Sequence, residues 1–325
     1  MPPLTISVAV CTFNGERFLG TQLESIASQD RVPDEVVICD DGSTDGSQEI
    51  IRGFAQRSTF PVRFKINERN LGSTKNFEQA ISLCHGTIVA LADQDDVWYR
   101  HKLARIERTF LESSAIVAVF SDADLIDDDS RPLGSRLWPT FSFDVAEQRK
   151  FASGDALKVL IRHPVVTGAA MAFRWEFFEL IAPIPVEHVH DSWISFLLAA
   201  CGRFEIISEP LMQYRRHRRQ QLGPGPLTLR EQRARARSTG ASDYLQQIER
   251  FHQINERLED HKHNFPFDGS VQEEIKRKVF HLTHRAQLPS AIAARLPKVI
   301  RECFNGGYLH YSAGWKSVAK DLMIR

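Results

Sequence analysis

The sequence has few cysteines and no long apolar stretch, and both features narrow the classes of protein that it can encode. The five cysteines are odd in number, far apart and never spaced as C-x-x-C: Cys11, Cys39, Cys84, Cys201 and Cys303. This pattern favours reduced, packed thiols over a disulfide framework, a metal site or a redox role. The longest apolar stretches, such as 165–173 and 194–201, fall far short of the roughly 18 residues that span a bilayer, so no transmembrane helix is expected.

The N-terminus also lacks the features of a secretory signal. No basic segment followed by an apolar stretch and a small-residue cleavage site is present. The apolar run 4–11 has instead the composition of a first β-strand. We therefore expect the protein to reside in the cytoplasm.

The formal net charge is zero, with 41 basic and 41 acidic residues, but the charge is unevenly distributed. Residues 214–325 hold 21 Lys and Arg and 11 Asp and Glu, a net charge of +10, and the residues before them carry the opposite charge. A basic surface can meet anionic lipid, nucleic acid or the acidic first half of the chain. Nucleic acid is the weakest of these expectations, because no recognised binding module accompanies the charge, and we expect no nucleic-acid partner.

The first hundred residues alternate short β-rich runs with amphipathic helical stretches. The predicted strands are 4–11, 35–39, 62–66 and 87–92, and the predicted helices are 16–28, 47–56 and 73–84. This alternation predicts a parallel α/β sheet. Ligands of such sheets bind at the carboxyl ends of the strands, so a site is expected at the polar loops 12–16, 40–46 and 93–96.

The rest of the chain divides into two parts with different patterns. Its predicted strands are 116–120, 165–173, 204–207 and 211–214, and its predicted helices are 190–201, 245–258, 271–282 and 292–304. The run Gly223-Pro224-Gly225-Pro226 breaks the pattern and marks the predicted boundary. The prediction is an α/β domain, residues 1–222, followed by a basic helical extension, residues 223–325.

Three carboxylates, Asp93, Asp95 and Asp96, directly follow the predicted strand 87–92. Like charges so close together need a cation or protons to be tolerated. One interpretation is a hard divalent metal, Mg²⁺ or Mn²⁺, held by one or two carboxylates together with the phosphates of a substrate. The other is a solvated acidic turn that caps the next helix, and the spacing alone favours neither.

A second acidic loop, Asp40–Ser47, favours the metal and diphosphate interpretation. Helix capping accounts for several of its side chains, but not for both Asp40 and Asp41. An EF-hand is excluded because the twelfth position from Asp41 is Arg52 rather than Glu. No G-x-G-x-x-G follows the first strand and no G-x-x-x-x-G-K-[ST] occurs, which excludes the dinucleotide-binding and P-loop motifs.

Seven motifs resemble those of the family 2 glycosyltransferases, whose nucleotide-diphospho-sugar transferase fold is called GT-A. In order, they are VAVCTFNGERFLGTQLESIASQ, VVICDDGSTDGS, NERNLGSTKNF, GTIVALADQDDVW, VVTGAAMAF, HDSWISFLLAACG and EPLMQYRRH, and they cover about residues 4–223. Within the family, the chain is most similar to bacterial rhamnosyltransferase-type enzymes of surface polysaccharide assembly. The resemblance implies an α/β GT-A fold, Rossmann-like with a mostly parallel central sheet, followed by a helical extension.

The resemblance places a donor site on the first loops. Thr12, Phe13 and Asn14 match the first-strand motif that borders the nucleotide base, and Asp41 matches the acid that hydrogen-bonds the base. Asp93 matches the ribose-side acid of the D-x-D motif.

Asp95 matches the metal ligand of the same motif, which implies Mg²⁺ or Mn²⁺ bridging the donor's diphosphate. Asp96 would support the site or cap the next helix. Asn70 and Lys75 fall in a segment that the family places near the donor. Lys75 stands where Arg is common, so it is either a point-charge contact to phosphate or an exposed helical lysine.

Asp191 matches the family's catalytic base, which takes the proton of the acceptor hydroxyl. The sequence context of Asp191 alone favours a cap of the helix 190–201, and the six accompanying motifs reverse that preference in favour of the base. His190 is assigned to the acceptor side, where it would orient or tune the base. Trp193 either offers an apolar face to an acceptor sugar or packs in the core.

The segment YRRHRRQQLG resembles a family segment Y-R-Q-H-x-x-N-x-x-G and departs from it at Arg216 and Gln220. His217 is assigned to the metal or the diphosphate, and a structural histidine is the alternative. The neighbouring arginines would bind phosphate or anionic lipid, or form a solvated run. A further acidic segment, residues 122–129, is expected to form an exposed turn after the strand 116–120.

These residues predict a metal-dependent, inverting glycosyltransferase. It would move a sugar from a dTDP- or UDP-sugar to a hydroxyl of a bacterial cell-surface glycan or lipid-linked oligosaccharide. The resemblance to rhamnosyltransferase-type enzymes suggests L-rhamnose as that sugar. The alternatives are a non-catalytic scaffold that binds sugar nucleotides and a nucleotidyltransferase, which would need a G-x-G-T-R-type loop in place of CTFNGERF. The basic helices would contact the inner face of the membrane, although such helices more often pack on their own domain.

Overall fold

The computed structural model of the chain describes residues 4–216 and 240–323. These residues form two compact units. The first contains residues 4–154 and 166–216, and the second contains residues 155–165 and 240–323. The segment 155–165 therefore belongs to the helical unit although it precedes the boundary that the sequence suggested.

The first unit is a nine-stranded sheet flanked by helices. Its strands are β1 (Ile6–Thr12), β2 (Glu35–Asp40), β3 (Val62–Ile66), β4 (Ile88–Asp93), β5 (Val97–Trp98), β6 (Ile116–Ile126), β7 (Pro132–Arg136), β8 (Met171–Arg174) and β9 (Arg203–Arg215). The helices before residue 217 are α1 (Leu19–Ala27), α2 (Ser47–Arg57), α3 (Ser73–Ser82), α4 (Lys102–Glu112), α5 (Leu137–Thr140), α6 (Val145–Lys150), α7 (Ala156–Leu160), α8 (Phe178–Ile181) and α9 (His190–Cys201). Helix α7 belongs to the second unit. Short 3-10 turns lie at Gly168–Ala170 and Trp175–Phe177, and a π turn lies at Phe151–Asp155.

The strand order is β3-β2-β1-β4-β8-β6-β9-β5, with β7 paired to β6. Strands β1 to β4 are parallel to one another, as the alternation of strands and helices predicted. Beyond β4 the sheet is mixed, because β8 runs antiparallel to both β4 and β6. Cys11 of β1 lies opposite Cys39 of β2 and Asp93 of β4, so the three loops that follow these strands emerge at the same edge.

The core of the first unit explains why these segments fold as they do. Every residue of β1 and β2 is buried, as expected for parallel strands covered on both faces. Helix α4 buries Leu103, Ile106 and Phe110 at helical spacing. Full burial of such side chains contributes about 1.5–3 kcal/mol each.

Three predicted elements differ from the structure. The strand expected at 165–173 begins only at Met171, because residues 168–170 form a 3-10 turn. The two strands expected at 204–207 and 211–214 are one strand, β9, whose register shifts near Pro210.

The acidic segment 122–129 is not a single exposed turn, as the sequence suggested. Strand β6 continues to Ile126 and carries Asp122 and Asp124. Asp122 is buried and accepts hydrogen bonds from the backbone N–H groups of Ala123 and Trp138. Only the last acids of the segment lie in the turn that follows.

The second unit is helical. Its longer elements are α10 (Ala241–Asp260), α11 (Gly269–Ala286), α12 (Ile292–Phe304), α13 (Gly307–Tyr311) and α14 (Trp315–Met323). Its small apolar core contains Leu288, Val299, Tyr308 and Val318. Within residues 4–216 and 240–323, each helix is too short or too polar to cross a membrane.

Candidate functional site

The loop after β4 holds the three acids that the sequence singled out. Asp93 is the last residue of β4 and lies near Asp95 and, from a different part of the chain, Asp191. Burial raises the pKa of Asp93 to about 7; the carboxylates of Asp95 and Asp191 add to this effect, and Lys102 opposes it. The structure thus brings together three acids separated by almost one hundred residues in sequence.

Asp96 connects this loop to β9. It is buried, and its Oδ1 accepts a hydrogen bond of 3.0 Å from the Arg215 backbone N–H. Its Oδ2 is buried with no hydrogen-bond partner within the described part of the chain. Burial, together with Asp95 and Asp93, raises the pKa of Asp96. These contacts favour the supporting role over a helix cap.

Arg215 holds the backbone of the acidic loop in place. Its side chain is buried, and its Nε donates to the Asp95 carbonyl oxygen at 2.7 Å. One terminal nitrogen donates to the Asp127 carbonyl at 2.8 Å and to Ser130 Oγ at 3.0 Å. The guanidinium also lies 4.5 Å from the centre of the Phe18 ring. Arg215 therefore ties the Asp95 backbone to the turn that follows β6.

Lys102 places a buried positive charge beside the acids. Its Nζ donates to the Ala169 carbonyl at 2.9 Å and lies 4.0 Å from the centre of the Trp98 ring. Burial lowers the pKa of Lys102 to about 7, and the charges of Asp96 and Asp93 oppose that change. The lysine and the acids therefore stabilise each other's charged forms.

Gln94, between the first two acids, fastens the loop after β1. Its Oε1 accepts hydrogen bonds from Thr12 Oγ1 at 2.6 Å and from the Phe13 N–H at 2.8 Å, and its Nε2 donates to the Phe13 carbonyl at 3.2 Å. A Cβ at Gly15 would lie 2.3 Å from Gln94 Oε1, so this packing requires a glycine at position 15.

The loop after β1 is also fastened to the loop after β2. Asn14 adopts a positive φ of 48°, its N–H donates to Ser43 Oγ at 2.8 Å, and its Oδ1 accepts from the Thr44 N–H at 2.9 Å. Asp40 accepts from the Ser43 N–H at 2.9 Å and from the Ser43 hydroxyl. Asp40 is therefore accounted for by the turn itself.

Asp41 fixes the loop that follows β3. Its Oδ1 accepts from the Leu71 N–H at 2.8 Å and from Asn67 Nδ2 at 3.0 Å, and its Oδ2 accepts from the Gly72 N–H at 2.9 Å. A carboxylate offers about four acceptor positions, and these three donors occupy most of those of Asp41. Asn70 Oδ1 accepts from the same Gly72 N–H at 3.0 Å, so its side chain also shapes this loop.

Lys75 is already paired with an acid. Its Nζ lies 2.8 Å from Glu78 Oε2, which also accepts from the Ile184 N–H at 2.6 Å. A phosphate contact by Lys75 would have to compete with this pair.

Asp191 lies in the first turn of α9, whose N-cap residue is Val189. It is therefore not the helix cap. Its Oδ2 accepts from the Gly168 N–H at 3.3 Å, and its Oδ1 accepts from Ser192 Oγ at 3.2 Å. These contacts orient the carboxylate beside Asp93.

The two aromatic candidates on α9 are buried. His190 stacks on Phe77 with 4.2 Å between ring centres, and neither of its ring nitrogens has a hydrogen-bond partner in the described part of the chain. Burial lowers the pKa of His190, which favours a neutral imidazole. Trp193 is 1% exposed and its Nε1 donates to the Ile181 carbonyl at 2.8 Å, a geometry that belongs to a core side chain and leaves no face for an acceptor sugar.

Of the two proposed metal ligands, Asp95 and His217, the structure describes only Asp95. His217 lies outside the described residues. Within residues 4–216 and 240–323, no three His, Cys, Asp or Glu side chains form a group that could hold a metal by themselves. A cation at Asp95 would therefore need further ligands from substrate, water or residues outside these ranges.

Gln94, Lys102 and Arg215 were absent from the predicted set of site residues. The sequence could have indicated that Lys102 is buried, because it lies four and eight residues before Ile106 and Phe110 on the same face of α4. Arg215 lies within a motif that matched the family, but its hydrogen-bond partners are distant in sequence.

Comparison with known proteins gives the family. Residues 7–181 match the model of the family described as Glycosyl transferase family 2. The chain is 32% identical over 219 residues, 66% of its length, to an uncharacterized glycosyltransferase, alr2836, of Nostoc sp.. It is 33% identical over 114 residues, 34% of its length, to the abequosyltransferase RfbV of Salmonella typhimurium. The matches span 65% and 34% of these relatives, so the chain covers less than two thirds of either.

Solved structures give the fold. The S. aureus TarS 1-349 structure in complex with UDP-GlcNAc superposes with a TM-score of 0.56 at 15% identity, covering 99% of this chain and 90% of that one. The mannosyltransferase PcManGT of Pyrobaculum calidifontis, in complex with GDP-Man and Mn²⁺, superposes with a TM-score of 0.52 at 17% identity, covering 98% and 84%. The fold is GT-A, and the chain belongs to glycosyl transferase family 2.

Proposed function

We propose that this chain is a metal-dependent, inverting glycosyltransferase that moves a sugar from a nucleoside diphosphate to a hydroxyl of a bacterial glycan. The observation that carries this proposal is the convergence of Asp93, Asp95 and Asp191 beside the loops at the carboxyl edge of the parallel strands. Family membership supports the same reaction class.

The donor would bind at the three linked loops. Thr12, Phe13, Asn14 and Asp41 would border the base, and Asp93 would face the ribose. Phe13 is 37% exposed, so its ring is accessible to a ligand. UDP-GlcNAc in TarS and GDP-Man in PcManGT support a nucleotide-sugar donor. The rhamnosyltransferase resemblance makes dTDP-L-rhamnose the first donor to test, followed by UDP-sugars.

The acidic loop fits a divalent cation. Its carboxylate oxygens are the hard ligands that Mg²⁺ and Mn²⁺ prefer, and one or two of them suffice when substrate phosphates complete the shell. Burial and, to a smaller extent, the neighbouring carboxylates raise the pKa of Asp93, and a bound cation would offset both effects. Asp95 would hold the cation, with His217 as a further candidate. A bound cation would neutralise the charge that develops on the leaving diphosphate.

Asp191 would act as the base. An inverting displacement requires one group to take the proton of the attacking hydroxyl, and a carboxylate next to the donor site can do this. The Gly168 N–H and the Ser192 hydroxyl would orient it. His190, neutral and packed against Phe77, would limit movement of the first turn of α9. Gln94 would hold the acidic loop against the loop after β1, and Arg215 would hold it against the turn that follows β6.

The acceptor would be a cell-surface glycan or a lipid-linked oligosaccharide, and the helical unit would contact the inner face of the membrane. Helix α12 exposes Ile292, Leu296, Ile300 and Phe304 at intervals of four residues. Its exposed Lys298 and Arg301 complement the charge of anionic lipid. Cosedimentation with anionic but not neutral vesicles, lost in Leu296→Ser combined with Phe304→Ser, would support this contact. Equal sedimentation of the wild type with both kinds of vesicle, or with neither, would contradict it.

The proposed reaction can be tested with purified protein. We would measure the binding and slow hydrolysis of dTDP-, UDP- and GDP-sugars with Mn²⁺ and with a chelator. One sugar nucleotide that binds and is hydrolysed only with metal would support the proposal. Donor binding without hydrolysis or transfer to any acceptor would favour the scaffold alternative.

A further inference from the structure

The helical unit contains a polar pocket of about 460 Å³ that the proposed reaction does not use. Four basic side chains line it: Arg162, Lys278 and Arg285 of α11, and Lys320 of α14. One acid, Asp243, also lines the pocket, and its Oδ2 accepts from the Gly240 N–H at 2.7 Å at the start of α10. The pocket walls therefore carry an excess of positive charge.

Lys278 is the unusual member of this group. It is 4% exposed, and its Nζ donates to the Tyr311 carbonyl at 2.7 Å. No carboxylate within the described residues pairs with it, and the charge that acts on it most strongly is the like charge of Arg285. Burial and Arg285 lower the pKa of Lys278 to about 7.

The acid that pairs with Arg285 is fully engaged. Arg285 pairs with Asp321 through two hydrogen bonds of 2.7 and 2.9 Å, and the hydroxyls of Tyr308 and Tyr244 also donate to Asp321. Asp321 therefore compensates Arg285 and is not available to Lys278. A buried ammonium without a counter-ion is costly, and one that lines an open pocket can be compensated by an anion from solution.

The pocket has the chemistry of a phosphoryl site. A lysine ammonium acts as a point charge for phosphate, and arginine guanidinium groups bind phosphate oxygens through paired N–H groups. Arg162 is held at the pocket by a 2.9 Å hydrogen bond from its Nε to the Ser312 carbonyl. This anchoring fixes the positive charge of Arg162 at the wall of the pocket.

We propose that this pocket binds a phosphate or diphosphate group, with Lys278 as the central cation. The group could belong to a free phosphate or diphosphate, or to the diphosphate of a lipid-linked glycan. The proposal does not depend on the glycosyl transfer proposed above, because none of its residues lies in the α/β unit.

The test uses the full chain with EDTA present, which removes metal-dependent binding at the acidic loop. Binding of inorganic phosphate and pyrophosphate would be measured by calorimetry and by the shift in thermal midpoint. The wild type should bind pyrophosphate, and Lys278→Met should weaken that binding by roughly 30-fold or more, the loss typical of truncating a buried charge partner. Lys276→Met, an exposed position on the same helix, is the matched control and should bind as the wild type does.

Lys278→Met removes an uncompensated buried charge, so the variant should fold. Lys320→Gln provides a second variant at the pocket, with a smaller expected loss of affinity. Failure of the wild type to bind pyrophosphate, or wild-type affinity in Lys278→Met, would overturn the proposal.

Two further measurements identify the source of the bound phosphate group and the unit of the chain in which it binds. Farnesyl diphosphate that binds at least tenfold tighter than pyrophosphate would support the site and indicate a lipid-linked ligand, whereas equal affinities would support the site and indicate a free anion. Asp95→Ala should leave pyrophosphate binding in EDTA unchanged. If it abolished that binding, the anion would belong to the α/β unit and the pocket proposal would be wrong.

Discussion

Replacing Asp191 with Asn tests the assignment of the base with little change in shape. The asparagine side-chain oxygen can still accept from the Gly168 N–H, which lies 3.3 Å from the carboxylate in the structure. The change removes the group that would take the proton and leaves the loops of the donor site untouched. A positioned base contributes roughly 10²- to 10⁴-fold in rate, so the barrier should rise by about 3–5 kcal/mol.

The assay would compare kcat at saturating donor and acceptor with donor affinity measured by calorimetry. We expect kcat to fall by at least about 100-fold, with donor affinity within about fivefold of the wild type, since a one-charge change near Asp93 alters binding by less than about 1 kcal/mol when a cation is present. Glu187→Gln, an exposed acid shortly before α9, is the matched control and should retain full activity.

Two results would refute this reasoning. A kcat within threefold of the wild type would show that another group takes the proton. An equal loss of donor affinity and of kcat would show that Asp191 acts on the donor, because removal of a base should affect the chemical step alone.

Three further predictions concern the acidic loop and its supports. Asp95→Ala should abolish the dependence of donor binding on Mn²⁺, and calorimetry showing an unchanged metal response would place the cation elsewhere. In the wild type, metal-dependent donor binding should strengthen as the pH rises through about 7, because a cation held at Asp95 is stabilised by the ionised form of the neighbouring Asp93, whose pKa burial and nearby carboxylates raise to about 7; affinity that is flat between pH 6 and 8 would argue against Asp93 at this site. Arg215→Lys should lower the free energy of unfolding by about 2–4 kcal/mol, since several buried carbonyls lose their donor; denaturant titration measures this, with the exposed Arg131→Lys as the control.

Local patterns were sufficient to predict the elements that carry the site. The strand at 62–66 and the helices at 190–201 and 292–304 have the bounds that the sequence predicted. The polar loops meet at one edge because a parallel register aligns the ends of β1, β2 and β4. The parallel direction of these strands follows from the alternation of strands and helices, and so the placement of Asp41 and Asp93 at one edge could be anticipated.

The partners of those loops could not be anticipated in the same way. Gln94 bonds to Thr12 and Phe13, more than 80 residues earlier, and nothing in its local sequence distinguishes it from a solvated glutamine. The strand at 165–173 was misjudged because an apolar run does not separate a strand from a buried 3-10 turn. Asp122 was misjudged because a carboxylate can be buried in a strand when backbone N–H groups satisfy it.

Two lysines lie on the buried faces of helices, but the charges around them differ. Lys102 interrupts the apolar face of α4, and Lys278 falls in the buried series Val271, Ile275, Lys278 and Leu282 of α11. Burial lowers the pKa of each lysine to about 7. The charges of Asp93 and Asp96 oppose the change at Lys102, whereas the neighbouring charge of Arg285 adds to it at Lys278.

The stability of the protein should therefore respond oppositely to replacement of the two lysines. Lys102→Met would leave Asp93 and Asp96 buried without their cation and should destabilise the fold by about 3–5 kcal/mol, the cost of breaking a buried pair. Lys278→Met should stabilise the ligand-free protein, most strongly below pH 7, where the wild-type lysine is charged in both states and the folded state bears the whole cost of burial. As the pH rises from 7 towards 10.5, the wild type loses this cost and the gain should disappear. Denaturant midpoints measured at pH 6 and pH 9 would decide the matter, and a destabilised Lys278→Met at pH 6 would mean that Lys278 is compensated by a group within the chain itself.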